Sequence, residues 1–252
     1  MRLSLDALSD VGCVREHNED IILASRELLR DEEFSATFEV NFNDRFCAIV
    51  ADGMGGHNGG ELASEMAAQR FDEFLIGLDS DLDFIALKDR IDSWAQNTHK
   101  LILQRGCELE GFNGMGTTLV GFFQYEGKIY WINIGDSRLY LFRDGILRQI
   151  SKDHSLRNLY HDMSQPKNAI FNSLGAGDST FADFNELPVF EGDHLLVCSD
   201  GMSDMCEDEQ IQSILASGGS ANKLVEAAKA NGGEDNISVI LVGIKINDNE
   251  ND

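Results

Sequence analysis

The sequence predicts an α+β fold in which antiparallel sheet carries helices packed on its faces. Three observations lead there. Apolar runs of strand length are joined by hairpin turns. Helical periodicity is confined to separate blocks. The strict β–α–β alternation of a dinucleotide-binding domain does not occur.

Taken in order, residues 21–24 are a short apolar segment directly after Glu19 and Asp20. Residues 46–51 (FCAIVA) read as a strand that stops at Asp52-Gly53. Ala63, Ala67, Phe71, Phe74 and Leu75 recur at helical spacing, as do Leu87, Ile91, Trp94, Ala95, Thr98, Leu101 and Ile102. They predict two amphipathic helices, adjacent in sequence. Residues 79–83 (DSDLD) read as a polar helix start before Phe84 and Ile85. They also look like the opening of an EF-hand loop, but Phe84 stands where a Gly is required and Arg90 where the last ligand should be. Residues 117–123 and 128–134 flank Tyr125-Glu126-Gly127, a hairpin turn, and 139–143 run into Asp144-Gly145, another. Residues 194–198 stop at Asp200-Gly201. Residues 208–216 and 221–230 predict helices separated by Gly218-Gly219, and 237–246 form the last strand.

The 252 residues suit one domain, 1–246, followed by a polar, disordered acidic tail, 247–252. Twenty Lys+Arg stand against 44 Asp+Glu, a net charge of −24. That balance argues against nucleic-acid partners and against anionic membrane surfaces. No apolar run approaches a bilayer span, so a cytoplasmic protein is expected. The five cysteines are scattered and none forms C-x-x-C, which points to neither a disulfide framework nor a thiolate zinc site.

The informative pattern is where certain acids fall. Asp52, Asp136 and Asp200 each end an apolar strand, and Asp235 immediately precedes one; Glu19 and Asp20 precede another. Any one of them alone is most simply a turn or cap residue. Four strand-end aspartates with similar local chemistry are a different matter. Gathered carboxylates repel and are costly to desolvate, and a cation resolves both problems. Oxygen donors without Cys or His favour hard ions such as Mg²⁺, Mn²⁺ or Ca²⁺.

These residues carry a resemblance. Val14-Arg15-Glu16-His17-Asn18-Glu19-Asp20, the run from Val50 through Asp52-Gly53-Met54-Gly55-Gly56-His57 to Gly60-Glu61, and Gly114-Met115-Gly116-Thr117-Thr118 resemble, in order, segments of the metal-dependent protein phosphatases. So do Gly135-Asp136-Ser137-Arg138, Cys198-Ser199-Asp200-Gly201 and Gly232-Gly233-Glu234-Asp235-Asn236. The family is the type 2C Ser/Thr phosphatases in their bacterial form. The resemblance implies a four-layer α-β-β-α sandwich of two antiparallel β-sheets flanked by helices. It implies hydrolysis of phospho-Ser and phospho-Thr by direct attack of a water bridging two divalent ions, Mn²⁺ or Mg²⁺. Asp52 would bridge the ions and the Gly53 carbonyl would bind one. Asp200 and Asp235 would complete the other's shell. Asp136 with Asp200 would form a weaker third site, and Glu19 and Asp20 would act through coordinated waters. Arg15 would grip the substrate phosphate. The implied partners are phosphorylated proteins marked by a cognate Ser/Thr kinase, and a monomer is expected.

Met54 stands where eukaryotic members carry a His often assigned as general acid, which leaves the proton donor open between a metal-bound water and other groups. His57 reads as a loop histidine, and His154 as a structural or flap-anchoring residue. Residues 156–174 correspond to the flap that helps choose substrates. Cys-based phosphatase chemistry is excluded because no Cys is followed by Arg at the required spacing. Two readings from other classes compete: a catalytically dead scaffold of the same fold that docks a kinase, and a two-metal hydrolase acting on small nucleotides. Retention of Asp52, Asp200 and Asp235 argues against the first.

Overall fold

The computed structural model describes residues 1–55, 59–166 and 169–246; the expected tail, 247–252, lies outside them. The first strands are β1 (Arg2–Asp10), β2 (Ile21–Ala24), β3 (Glu27–Leu29), β4 (Glu33–Glu39), β5 (Cys47–Ala51) and β6 (Gly53–Met54). Helices α1 (Gly59–Ile76) and α2 (Phe84–Glu108) follow. Then come β7 (Gly116–Thr117), β8 (Leu119–Tyr125), β9 (Lys128–Ile134), β10 (Arg138–Arg143), β11 (Ile146–Gln149) and the short α3 (Leu156–Tyr160). The chain ends with β12 (Asp183–Glu186), β13 (His194–Cys198), α4 (Asp200–Ser203), α5 (Asp208–Ala216), α6 (Ala221–Ala230) and β14 (Ile237–Lys245).

Two six-stranded antiparallel sheets result, ordered β11-β10-β13-β14-β1-β4 and β12-β9-β8-β5-β2-β3. Their residues alternate between two apolar layers. Along β5, Ala48 and Val50 point between the sheets, while Cys47, Ile49 and Ala51 pack with α1 and α2. Along β14, Ile240, Val242 and Ile244 face the other sheet, while Ile237, Val239 and Leu241 pack under α5 and α6. Three apolar layers therefore separate four structural layers, which is the sandwich expected from the resemblance. It also explains why β5 and β14 read as unbroken apolar runs: both faces of these central strands are covered.

Strand register sets the position of the acids. β14 lies between β1 and β13, with Ile237 opposite Asp10 and Val239 opposite Cys198. The chain entering β14 and the chain leaving β1 and β13 therefore share one end of the sheet. In the other sheet Ala51 pairs with Ile21, and Leu119 with Ile134, so the end of β5, the start of β2 and the end of β9 coincide.

The hairpins β8–β9 and β10–β11, and the helices α5 and α6, fall where expected. Asp83 caps α2, its carboxylate accepting from the Ala86 N–H at 2.8 Å, in agreement with a polar helix start. Strands β1 and β4 were not apparent from the pattern. β1 interleaves Asp6, Ser9 and Asp10 with its apolar residues, and β4 is an edge strand with polar residues on its outer face. Cys47, Cys198 and Cys206 are buried, whereas Cys13 and Cys107 are exposed.

If the three layers hold the fold as described, Ile240→Ala costs about 2–5 kcal/mol in urea unfolding. Asp83→Ala at the α2 cap costs about 1 kcal/mol. Equal effects of the two changes would contradict this ranking.

Candidate active site

At the shared end of the sheets lies a cavity of about 220 Å³. Arg15, Glu19, Asp52, Gly53, Asp136, Asp200 and Asp235 line it together with Met54, Gly55, Thr118 and Ile170. The strand-end acids thus converge although they come from both sheets. Asp20 is fully buried beside them, and its Oδ2 has no hydrogen-bond partner among the described residues. His57 lies outside the described residues.

Neutral hydrogen bonds hold the loops that present these acids. The Asp52 amide donates to Thr118 Oγ1 at 3.1 Å, and the Asp52 carbonyl accepts from Thr118 N and Thr117 Oγ1, each at 2.9 Å. Thr118 Oγ1 also bonds Ser137 Oγ at 2.8 Å, which ties the Asp136 turn to the Asp52 turn. Asn236 Oδ1 accepts the Glu19 amide at 2.8 Å, and its Nδ2 donates to the carbonyls of Val11 and His17 at 2.9 Å each. One side chain thus anchors the loop bearing Arg15 and Glu19 to the start of β14. Arg30 donates to the carbonyls of Asp20 (2.9 Å) and Glu61 (3.0 Å), and Ser64 Oγ donates to the Glu19 carbonyl at 2.6 Å. The N-terminal turn of α1 is thereby fastened to the Glu19–Asp20 segment.

Two glycines are set by close approach. A Cβ on Gly53 would lie 2.1 Å from the Gly60 carbonyl oxygen and 2.5 Å from that of Glu19. One on Gly201 would lie 2.0 Å from the Asn236 carbonyl oxygen. No side chain fits at either place, so the backbones after Asp52 and Asp200 pack directly on neighbouring loops.

The electrostatics follow from this crowding. Asp52 is held well above the usual carboxylate range by burial first, then by the charges of Asp20, Asp200, Asp136 and Asp235. Burial and the neighbouring Asp200 and Asp153 push Asp136 up to about 8. Asp20 rises to about 7 through burial, the Ser199 and Ser238 hydroxyls opposing. Asp200 rises to about 6 through burial and the charges of Asp235 and Asp204, while a hydrogen bond with Asp52 and the Arg15 charge pull it back. Burial raises Glu19 as well, against Arg15. Every donor in the set is oxygen, the acids resist carrying their charges together, and a buried carboxylate oxygen has no donor. This chemistry fits hard divalent cations. Among the described residues no three acids form a closed ligand set, and Asp235 is engaged by Arg15 at 2.7 Å.

A second groove, of about 440 Å³, continues from Asp136 and Asp200 and is walled on one side by Arg157, Asn158 and Met163 of the flap. His154 lies at the base of the flap. Its Nδ1 accepts from the Gly135 amide (3.1 Å) and from Asn172 Nδ2 (2.8 Å), so Nε2 carries the proton toward Asp183 Oδ2 at 3.1 Å. The side chain braces the turn before Asp136 and does not line the main cavity.

Glu19, Asp52, Asp136, Asp200 and Asp235 line the cavity together with Arg15, whereas Asp20 is buried and does not line it. Thr117, Thr118, Arg30, Ser64 and the anchoring role of Asn236 were not read from the sequence. Thr117, Thr118 and Asn236 fall within the matching segments, but nothing local marks a hydroxyl or an amide whose partner is 65 or 217 residues away.

Asn236→Ala leaves an amide and two carbonyls without their partner and is expected to cost about 2–4 kcal/mol, read from urea unfolding. The raised carboxylates fix the sign of a pH effect. Between pH ~4, where unfolded carboxylates ionise, and pH ~8, the native state holds protons that the unfolded state has released. Stability therefore falls as pH rises through that window. Chelator-treated protein should melt at a lower temperature at pH 8 than at pH 5, and added Mn²⁺ should raise the melting temperature more at pH 8. A flat profile from pH 5 to 8 would contradict the electrostatic description.

With the geometry established, the relatives are informative. The sequence profile of the family described as Protein phosphatase 2C matches residues 25–237. The serine/threonine phosphatase stp of Listeria monocytogenes is 33% identical over 256 residues, covering 93% of each chain. The solved structure of the Streptococcus agalactiae serine/threonine phosphatase superposes with a TM-score of 0.79 at 27% identity, covering 96% of this chain and 100% of that one. The catalytic domain of the serine/threonine phosphatase PstP, solved in complex with two manganese ions, superposes with a TM-score of 0.72 at 29% identity, covering 96% and 99%. Among the described residues no helix is long and apolar enough to cross a membrane. Profile, sequence and fold agree, and the chain belongs to the protein phosphatase 2C family of serine/threonine phosphatases.

Proposed function

We propose that this phosphatase acts on phospho-Ser and phospho-Thr in proteins with two divalent ions, Mn²⁺ or Mg²⁺, at the carboxylate cavity. The carrying observation is the convergence of Glu19, Asp52, Asp136, Asp200 and Asp235 on one cavity in which, among the described lining residues, Arg15 is the one basic side chain. The two manganese ions in the PstP structure support the reading.

Asp52 is assigned as the carboxylate shared by both ions, with the Gly53 carbonyl on one of them and Asp200 and Asp235 on the other. Asp136 and Asp200 are assigned to a weaker third site. Glu19 and Asp20 act through water. A bound ion pair supplies a water of lowered pKa as the nucleophile. Arg15 holds the phosphate by its fork of donors and sets the phosphorus in line for attack. The glycine-packed loops keep the carboxylates fixed, so they need not reorganise during the reaction. The flap groove receives the polypeptide flanking the phosphoresidue. The −24 charge disfavours polyanionic substrates such as nucleic acid. The substrates would be targets of a cognate Ser/Thr kinase, met by a monomer in the cytoplasm.

The test compares p-nitrophenyl phosphate and a phosphothreonine peptide, with Mn²⁺ and with chelator. Wild type should turn over both only with metal. Asp20→Asn should lose about 10–100-fold, and Asp52→Asn and Asp200→Asn more than that. Undiminished turnover in excess chelator, or inert metal-loaded wild type, would reject the reading.

A further inference from the structure

The contact between Arg15 and Asp235 joins the phosphate-binding and metal-binding roles in one pair. Arg15 donates from a terminal guanidinium nitrogen (Nη2) to Asp235 Oδ2 at 2.7 Å, while Asp235 Oδ1 accepts the Asn236 amide at 2.8 Å. Both oxygens of Asp235 are therefore already engaged by protein donors. The guanidinium charge also acts on Glu19 and Asp200 across the same cavity.

The backbone around Arg15 is fastened on both sides. Gly12 N donates to Asp10 Oδ1 at 2.8 Å, Cys13 N donates to the Gly233 carbonyl at 2.8 Å, and Asn236 holds the carbonyls of Val11 and His17. The side chain itself is half exposed, at 48%, and its partner is 30% exposed. An ion pair this open to solvent contributes little to stability and opens readily. Arg15 can therefore leave Asp235 by rotating its own side chain, with no movement of the loop.

We propose that Arg15 and a divalent ion compete for Asp235, so that metal binding releases Arg15 toward the substrate phosphate. This rests on the assignment of Asp235 as a metal ligand made above. A guanidinium and a dication on one carboxylate repel, so each weakens the other's hold. A phosphate offers Arg15 an alternative anion and draws it away. By thermodynamic reciprocity, a ligand that removes Arg15 from Asp235 strengthens metal binding, and metal strengthens binding of that ligand. Arg15 then has two opposed effects: it opposes the ion when no phosphate is present and cooperates with it when one is.

The test measures Mn²⁺ affinity of the full chain by calorimetry, or by the electron paramagnetic resonance of free Mn²⁺, without turnover. Wild type, Arg15→Gln, Arg15→Lys and Asp235→Asn are compared, with and without phenylphosphonate, a non-hydrolysable phosphate analogue. Without the analogue, Arg15→Gln should bind Mn²⁺ about tenfold more tightly than wild type. Arg15→Lys, which keeps the charge without the fork, should fall between them. Phenylphosphonate should tighten Mn²⁺ binding more in wild type than in Arg15→Gln. Asp235→Asn should bind Mn²⁺ weakly with or without the analogue. Equal or weaker Mn²⁺ binding by Arg15→Gln, or equal enhancement by the analogue in both proteins, would overturn the competition and leave the metal assignment standing. A wild type that binds no Mn²⁺ would overturn both.

Discussion

The burial of several carboxylates together at one end of the sandwich is the constraint around which the rest of the molecule is arranged. Burial first, and then the charges of neighbouring acids, push Asp20, Asp52, Asp136 and Asp200 far from ordinary carboxylate behaviour. Left to themselves, such side chains would splay into solvent. They are held because each sits where a strand begins or ends, and the strands are fixed by layers of apolar packing on both faces. The free energy that fixes the site is thus generated at a distance from it, in residues with no chemistry of their own.

Between the acids and those layers lies a shell of neutral groups. Thr117, Thr118, Ser137, Ser64 and Asn236 connect loops from different strands by hydrogen bonds, and Arg30 adds donors to backbone carbonyls. Neutral donors suit this task. They satisfy buried backbone groups without adding negative charge to a region that already has too much of it. Bare glycine at Gly53 and Gly201 serves the same end by letting backbone pack on backbone where a side chain would force the loops apart.

This division explains what the sequence made legible. β5, the β8–β9 and β10–β11 hairpins, and α5 and α6 depend on local patterns: unbroken apolar runs, Asp-Gly turns, helical spacing. Asp52, Asp136, Asp200 and Asp235 were visible because each abuts such a pattern. β1 alternates regularly, with Leu3, Leu5 and Ala7 buried between Arg2, Ser4 and Asp6, so it carries no unbroken apolar run, and its partner β14, with Arg2 opposite Lys245, lies in no local window. Thr118, Asn236 and Arg30 were illegible as anchors for the same reason. Their chemistry is ordinary, and only the closed sandwich brings their partners within reach.

The charge balance also gives Arg15, the one basic group among the described residues lining the cavity, its importance. In a chain with 44 acidic residues and 20 basic ones, an unpaired Arg among carboxylates is improbable. Arg15 is accordingly drawn to Asp235, as Arg138 is to Asp153 and Arg143 to Asp193. The difference is exposure. Asp153 and Asp193 are nearly buried, at 11% and 1%, and their partners make several donor contacts to them, which makes them structural. Among the described residues Arg15 donates one side-chain hydrogen bond, to Asp235, and it remains open to solvent. In the proposed phosphate-binding role, Arg15 needs an alternative anion that is near but weakly held. A buried, doubly bonded carboxylate would trap the guanidinium, and no carboxylate at all would leave it mobile. The exposed pair with Asp235 lies between those limits, so the same excess of acid that makes the cavity costly to build also keeps Arg15 in place.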